Sequence, residues 1–589
     1  MKALESAARI VATQEENAFV DGSRPKPPLL DGGGAPTATK QASYLGRSDY
    51  ITAHVNIDED DATQYQDLGS RQGALHNFEA KIRRNVSTLE IPRGTLRQSL
   101  LRNFLQRCRP WMPLVSERDL DRLDAKNQDT LLVIAVLVAG SIVSSAPEAA
   151  DHGRRCYQRA KVLFYTNSEQ NHLHTLMATI FLQWLNPSGP EHISIDNSSF
   201  WLRISVALAH QMGLHREPDP RLTEAKLRRR IWWTLVTRDN QIAASHGRPR
   251  AINTEDSNVR PLRLDDFEGG DEDALLFMQS VLITSILGDM TEHYRRGTLS
   301  VRKKIDFEDA LRRWLKAVPL SLRLHHPETM KLNEYNFKVR QLHVLYFTAL
   351  IILFRQDSKD DPPSPVSLLA ASFISGAYEE YLTYEDIAHL SVTSIFYLMV
   401  GALIQLSYQR FPSLATHRSQ EIEIMTLSFQ GLKKRFPSAI GAERVMNQMM
   451  QHSTTLADTP QSIRMVLTPE QKEFFAPFGP ELCRKWSSVF DTQPGFLAGI
   501  DDFAGAGNAN NMTMSVGLGN DHEVRKNGAI RENPAPMMAD PVWGNNASLL
   551  LSQDDEALFS GGQALDSVGR WWWADWVPEA DLDFLSKSI

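Results

Sequence analysis

The chain has 589 residues, 42% hydrophobic and 23% charged, which is enough apolar material for a large buried core. A formal net charge of -8 excludes a surface built throughout to coat nucleic acid or anionic lipid and leaves only local basic patches. The three cysteines, Cys108, Cys156 and Cys483, stand tens to hundreds of residues apart, which excludes a disulfide scaffold and any CxxC-type zinc site.

At the N-terminus, MKALESAARIVATQEEN holds no long apolar stretch, so no secretory signal is expected and a reducing intracellular compartment is the default. Residues 1–43, with RPKPP and DGGGAPTATK, have no hydrophobic period and read as a flexible lead. From Tyr44 the texture changes. Between about Arg93 and Trp486 apolar residues recur at helical spacing without long alternating strands, so the expected fold is all-α, a single large multi-helix domain over 44–490. No fixed repeat period argues for a regular solenoid. The apolar runs 131–143, 345–354 and 395–404 fall short of the about 20 residues a bilayer core demands, so they are expected as buried helices and no membrane partner is expected. Helix punctuation falls at Asn186-Pro187-Ser188-Gly189-Pro190, Glu217-Pro218-Asp219-Pro220, Asp361-Pro362-Pro363-Ser364-Pro365 and Phe411-Pro412.

Residues 196–261 are the most informative. Asp196 or Asn197 can cap a helix whose apolar face runs through Trp201, Ile204, Leu208 and Met212, and Gly213 stands where a left-handed residue closes it, with Leu214 folding back. The next helix, after the Pro218 and Pro220 turn, carries Leu227, Ile231, Trp232, Leu235, Asp239 and Ile242 on one stripe. A carboxylate among hydrophobes would cost several kcal/mol if left alone, so a guanidinium is expected to meet Asp239, from Arg228, Arg229, Arg230 or Arg248. His246-Gly247-Arg248-Pro249 then stops the helix, and a polar, extended stretch ends in Val259-Arg260-Pro261.

From Asp491 on, 99 residues hold 11 of the 33 glycines, and fifteen acids against five basic residues give this tail a net charge of -10. Such a composition favours disorder, because too little apolar area is available to offset chain entropy. Its end alternates bulky apolar and acidic residues: Trp571, Trp572, Trp573, Asp575, Trp576, Asp581, Asp583, Phe584 and Leu585. That is the composition of an acidic activation segment over 571–585, and equally of a terminal helix that docks its tryptophans on the domain.

Read together, Gly213, Leu214, His215, Arg216, Glu224, Arg228, Arg229, Arg230, Trp232, Trp233, Leu235, Asp239, Gly247, Arg248, Pro249 and Ile252 resemble, in order, the middle homology region of fungal transcription factors. Tyr44-Leu45-Gly46-Arg47-Ser48-Asp49-Tyr50 and the segment around Cys108-Arg109-Pro110-Trp111-Met112-Pro113 look like the lead-in of cutinase-transcription-factor-like members. The likeness spans roughly residues 44–490 and weakens beyond about 330.

The resemblance implies a nuclear regulator of transcription, controlling a metabolic or secondary-metabolite pathway, in which these motif residues belong to the regulatory domain. It also implies other transcription factors or coactivators as partners, homo- or heterodimers among them, and a small-molecule effector. Family members usually carry an N-terminal cluster of six cysteines around two zinc ions that reads DNA. Three scattered cysteines cannot form it, so no cofactor is expected and DNA contact would be indirect. Two accounts stay open: a regulator without its own DNA-reading module, or a truncated zinc-cluster factor whose first exon is missing. A small-molecule-sensing or scaffold protein without transcriptional activity is the alternative from another class.

The basic runs at 226–230, 302–304 and 433–435 each hold only three or four charges within helical sequence and read as solvated or salt-bridged faces. An enzyme is not expected: GxSxG, GxxxxGK[ST], HExxH and a strand-linked GxGxxG do not occur. The pairs His172/His174 and His325/His326 lack a third ligand, and the acids at 58–61 lack the spacing of a calcium loop.

Overall fold

In a computed structural model of the chain, the described residues are 43–44, 73–125, 130–190, 192–268, 271–356, 364–408, 418–453 and 465–490. The expected flexible lead and acidic tail lie outside them, apart from Ser43 and Tyr44.

The all-α expectation holds. Among the described residues the only β-pairing is an isolated bridge between His325 and Leu332. The helices, in order, are α1 Gly73–Val86, α2 Gly94–Asn103, α3 Glu117–Ala125, α4 Leu131–Ile142, α5 Ala149–Tyr165 and α6 His172–Leu182. The middle of the chain forms α7 Ser198–Gln211, α8 Ala225–His246, α9 Asp271–Arg295, α10 Val301–Ala317 and α11 Phe337–Leu353. It closes with α12 Pro365–Thr383, α13 Ser394–Ser407, α14 Arg418–Lys433, α15 Ser438–Ser453, α16 Pro469–Lys472 and α17 Trp486–Phe490. Helix α1 lies upstream of the helical region expected from periodicity. It is fastened to the end of α5 by Arg83, whose Nη1 donates to the Thr166 carbonyl at 2.9 Å.

Local chemistry starts many of these helices. Asn171, Asn197, Ser300, Asn336 and Ser364 each accept, through the side chain, a free N–H of the first turn of α6, α7, α10, α11 and α12. Each such cap is worth about 1 kcal/mol. All three short apolar runs are buried helix: 131–142 forms α4, every residue of it buried, and the other two lie in α11 and α13. One helix among the described residues, Glu272–Arg295, is long and apolar enough to cross a membrane, and 72% of its most apolar window is buried inside the protein.

Helix α8 packs on α7 and α9, α9 on α11, and α11 on α12, which in turn meets α13 and α14. The last described residues come back over α11 and α12. Tyr346 Oη donates to the Phe474 carbonyl at 2.9 Å, and Phe347 stacks on Phe373 at 4.6 Å with Phe478 against both rings. Helix α8 has little exposed surface from Arg229 to Ala244.

Candidate functional site

The motif block is built from two helix ends. Asn197, and not Asp196, caps α7, accepting from Phe200 N at 2.9 Å, while Asp196 takes the Tyr157 hydroxyl and Lys161. At its other end Gly213 has φ 67°, its N–H reaches the His210 carbonyl and that of Leu214 the Ala209 carbonyl, so Gly-Leu is the helix stop the sequence implies. The α7 face differs from the expected one. Trp201 is buried with Leu202, Ser205, Val206 and Ala209, whereas Ile204, Leu208 and Met212 are half-buried, so the buried face is rotated by about one residue. Ser205 faces inward because its hydroxyl is matched by the Trp201 carbonyl and Thr179.

Gly213 does a second job. A Cβ there would stand 3.2 Å from the Tyr44 ring, which lies over it. Tyr44 donates its N–H to the Gln211 carbonyl at 2.7 Å, accepts from Arg216 Nε at 3.1 Å, and sets its ring edge-on to His215. His215, His210 and Trp232 continue this stack, and burial lowers both imidazole pKa values.

Asp239 is buried, as its stripe implies, but no guanidinium meets it. Its carboxylate accepts the backbone N–H of Ala251 at 2.9 Å and of Ile252 at 2.8 Å, in the stretch after Gly247-Arg248-Pro249. Burial raises its pKa against the pull of those two amides. Arg228, Arg229 and Arg230 precede it by nine to eleven residues on one helix, about 14–17 Å along the axis, beyond side-chain reach. Arg248, the fourth candidate, donates to the Pro190 carbonyl at 2.6 Å.

The acids that answer the arginine run are Glu217 and Asp266, neither of which the sequence reading picked out. Asp266 is fully buried and accepts from Arg229 Nη1 at 3.0 Å, from both Nη atoms of Arg260 at 2.9 and 2.7 Å, and from Arg263 N at 2.9 Å. Burial pushes its pKa up, and the Arg260 hydrogen bonds with the other donors bring it below the usual range. Glu217 takes Arg229 Nε at 2.8 Å and Arg260 N at 2.9 Å, and Arg230 donates to the Asp266 carbonyl. Arg228 reaches Glu224 and the Met212 carbonyl. Trp233 closes the set by donating Nε1 to the Arg260 carbonyl at 2.9 Å. The motif thus fastens the extended stretch 248–266 across α7 and α8.

Two to three turns beyond Arg230, the same helix lines a cavity, part of it open to solvent, between α8, α11, α12 and α13. Thr237, Arg238 and Gln241 form one wall and Tyr378, Tyr381 and Tyr397 another, with Trp111, Met112 and Trp184 at one side. Arg238 is 7% exposed. Its Nε donates to Gln183 Oε1 at 3.3 Å and Nη1 to Gln241 Oε1 at 3.1 Å, and burial pushes its pKa down to about 10. Thr237 Oγ1 and Tyr381 Oη are buried without a hydrogen-bond partner. Apart from Trp111 and Met112, which fall in the segment around Cys108-Arg109-Pro110, none of these cavity residues was singled out from sequence, although Arg238 falls on the apolar stripe between Leu235 and Ile242 and could have been found there.

The model of the fungal specific transcription factor domain matches residues 101–318, from the end of α2 to the end of α10. Residues 101–318 thus carry a fungal specific transcription factor domain. It is 27% identical over 417 residues to the acetamidase regulatory protein of Aspergillus fumigatus, covering 66% of this chain and 53% of that protein. It is 25% identical over 421 residues to cutinase transcription factor 1 alpha of Fusarium vanettenii, covering 63% of this chain and 45% of that protein. The chain therefore spans about half the length of these curated relatives. No solved structure matches it.

The zinc cluster associated with the family does not fit the cysteines present. Cys108, Cys156 and Cys483 are buried apart from one another; Cys108 and Cys483 approach the carbonyls of Ala139 and Leu369, and burial raises both thiol pKa values. Among the described residues no group of three or more His, Cys, Asp or Glu is placed to hold a metal ion. His325 Nε2 instead meets Glu481 at 3.2 Å. The basic runs at 226–230 and 433–435 are in part the solvated or salt-bridged faces expected, with Lys226, Lys433 and Lys434 exposed and Arg229 ion-paired, but Arg230 and Arg435 are spent on buried carbonyls, Arg435 on those of Ile142, Ile387 and Leu390. The tail residues Trp571, Trp572, Trp573, Asp575, Trp576, Asp581, Asp583, Phe584 and Leu585, and the acids at 58–61, lie outside the described residues.

Proposed function

We propose that this chain is a fungal transcriptional regulator acting in the nucleus, with residues 44–490 as its regulatory, partner-binding domain and 571–585 as an acidic activation segment. The observation that carries this reading is the family match over 101–318, together with a motif whose charges are consumed in holding the fold. The three buried cysteines support indirect DNA contact by these residues, through a zinc-cluster factor or coactivator as partner. Genes of a metabolic pathway are the proposed target class, by analogy with relatives named for acetamidase and cutinase.

Fusing the full chain to a heterologous DNA-binding domain tests the activating role. Reporter expression is expected, with most of it lost when Trp571, Trp572, Trp573 and Trp576 are replaced by alanine. A silent reporter, or one indifferent to those replacements, would remove the activation segment from the account. Tight, sequence-specific binding of the purified chain to duplex DNA would overturn the indirect mode.

A further inference from the structure

We propose that the cavity around Arg238 binds a small monocarboxylate with an apolar body. This stands apart from the transcriptional reading, which would survive its failure.

The first ground is charge. A guanidinium taken out of water is costly unless an anion meets it, and among the described residues no carboxylate lies within ion-pairing distance of Arg238. Its two partners in the fold, Gln183 and Gln241, are neutral amides. Other arginines near the motif show that the chain can supply acids: Arg229 and Arg260 share Asp266, and Arg250 holds Asp289 and Glu292. The second cation on the cavity wall, Arg107, is already neutralised by Asp386 at 2.9 Å. His389 donates Nδ1–H to the Val143 carbonyl at 2.7 Å, and burial lowers its pKa, which favours the neutral imidazole. The cavity is left with one uncompensated positive charge.

The second ground is independent of charge. Thr237 Oγ1 and Tyr381 Oη are both buried on the walls of this cavity with no partner within the protein. Hydroxyls so placed cost desolvation for no return within the fold, and each can donate to an acceptor brought in by a ligand. The rest of the lining, including Trp111, Met112, Val344 and Leu345, suits a hydrocarbon body.

These features together select the ligand class. A planar guanidinium fork matches a carboxylate, two hydroxyls add donors, and a single net positive charge favours a monoanion over a phosphate dianion. Because α8 lies within the family domain and α11–α13 lie beyond residue 318, such a ligand would join the two parts of the helical array.

The full chain is titrated with hexanoate, benzoate and phenylacetate, against hexanamide, benzamide and inorganic phosphate, by thermal shift and calorimetry. At least one carboxylate is expected to bind saturably and raise the melting temperature, while its amide and phosphate do not. Arg238→Met should weaken that binding by about tenfold or more, the loss of a charge-assisted contact. Tyr381→Phe and Thr237→Val should each weaken it several-fold while leaving the ligand-free melting temperature unchanged or raised, a pattern that a structural role for these hydroxyls would not produce. Absence of binding by all three carboxylates, equal binding of the amides, or undiminished affinity in Arg238→Met overturns the proposal. Should Arg238→Met fail to fold, undiminished affinity in both hydroxyl variants overturns it.

Discussion

Arg229 and Arg238 lie nine residues apart on α8 and are about equally buried, yet they are served in opposite ways. Burial works against the charge at both sites. At Arg229 the hydrogen bonds and charges of Glu217 and Asp266 more than offset it and the pKa rises; at Arg238 no acid does so and the pKa falls. The first region is a closed network, with every carboxylate oxygen of Asp266 taken by a donor, and its charges hold the extended stretch 248–266 in place. The second faces a cavity with its fork only partly engaged. A buried ion that is fully paired within the fold reports on architecture, whereas one left short of a counterion marks a place where something else can bind.

The sharpest way to break this comparison is at Asp266. Asp266→Ala strands Arg229 and Arg260 and is expected to destabilise the domain by about 3–5 kcal/mol, read from the urea midpoint. A loss below about 1 kcal/mol would mean the network is redundant. The same acid leaves a pH signature. Its folded pKa lies below the unfolded value, so its stabilisation is complete above the unfolded pKa of about 3.9 and fades as pH falls through the folded one. Asp266→Asn should therefore flatten the decline in stability on the acid side. Asp239, whose folded pKa is raised, works in the opposite direction, and Asp239→Asn should steepen that decline.

Asp239→Ala leaves two backbone N–H groups without acceptors and is expected to cost about 2–3 kcal/mol. Restored stability in a double variant that also removes an arginine would contradict the amide assignment. Gly288→Ala comes next. The new Cβ would stand 2.2 Å from Asn240 Oδ1 and 2.9 Å from its Cβ, where α9 crosses α8, so a loss of about 2 kcal/mol is expected from overpacking. Gly213→Ala should cost about 1 kcal/mol for its positive φ, and in addition displace Tyr44, which tyrosine fluorescence or proteolysis near residue 44 would detect. The smallest effect is the most telling: ligand-free Arg238→Met should change stability by less than about 0.5 kcal/mol. A loss comparable to that of Asp266→Ala would erase the distinction between the two arginines.

Much of the fold was legible because helix signals are local. The Asn197 cap, the Gly213 stop, the Gly247 turn and the burial of 131–142 follow from residue type and from spacing within a few positions. The α7 face was misplaced by one residue because Ser205 and Ala209 look neutral in a hydrophobic count, although a small or hydrogen-bonded residue packs inward as readily as leucine. That Asp239 sits among hydrophobes was readable from its stripe. That backbone amides satisfy it was not, since donor and acceptor stand twelve and thirteen residues apart, across the end of α8 and the Gly247 turn. Helix geometry alone would have excluded Arg228, Arg229 and Arg230 as its partners. Asp266, in a short acidic turn, carries no mark in sequence that distinguishes it from its neighbour Asp265, which is exposed.

The sequence by itself determined the helical class, the places where helices begin and stop, and the ordered motif by which the family is known. All of these depend on 3.6-residue periodicity and on the backbone preferences of Asn, Gly and Pro, which act within one or two turns. The tertiary structure alone decided which acid meets which arginine, and that Arg238 meets none among the described residues. Electrostatic pairing depends on distance in space, and only the folding of α11–α13 against α8 brings residues more than a hundred positions apart to one cavity wall.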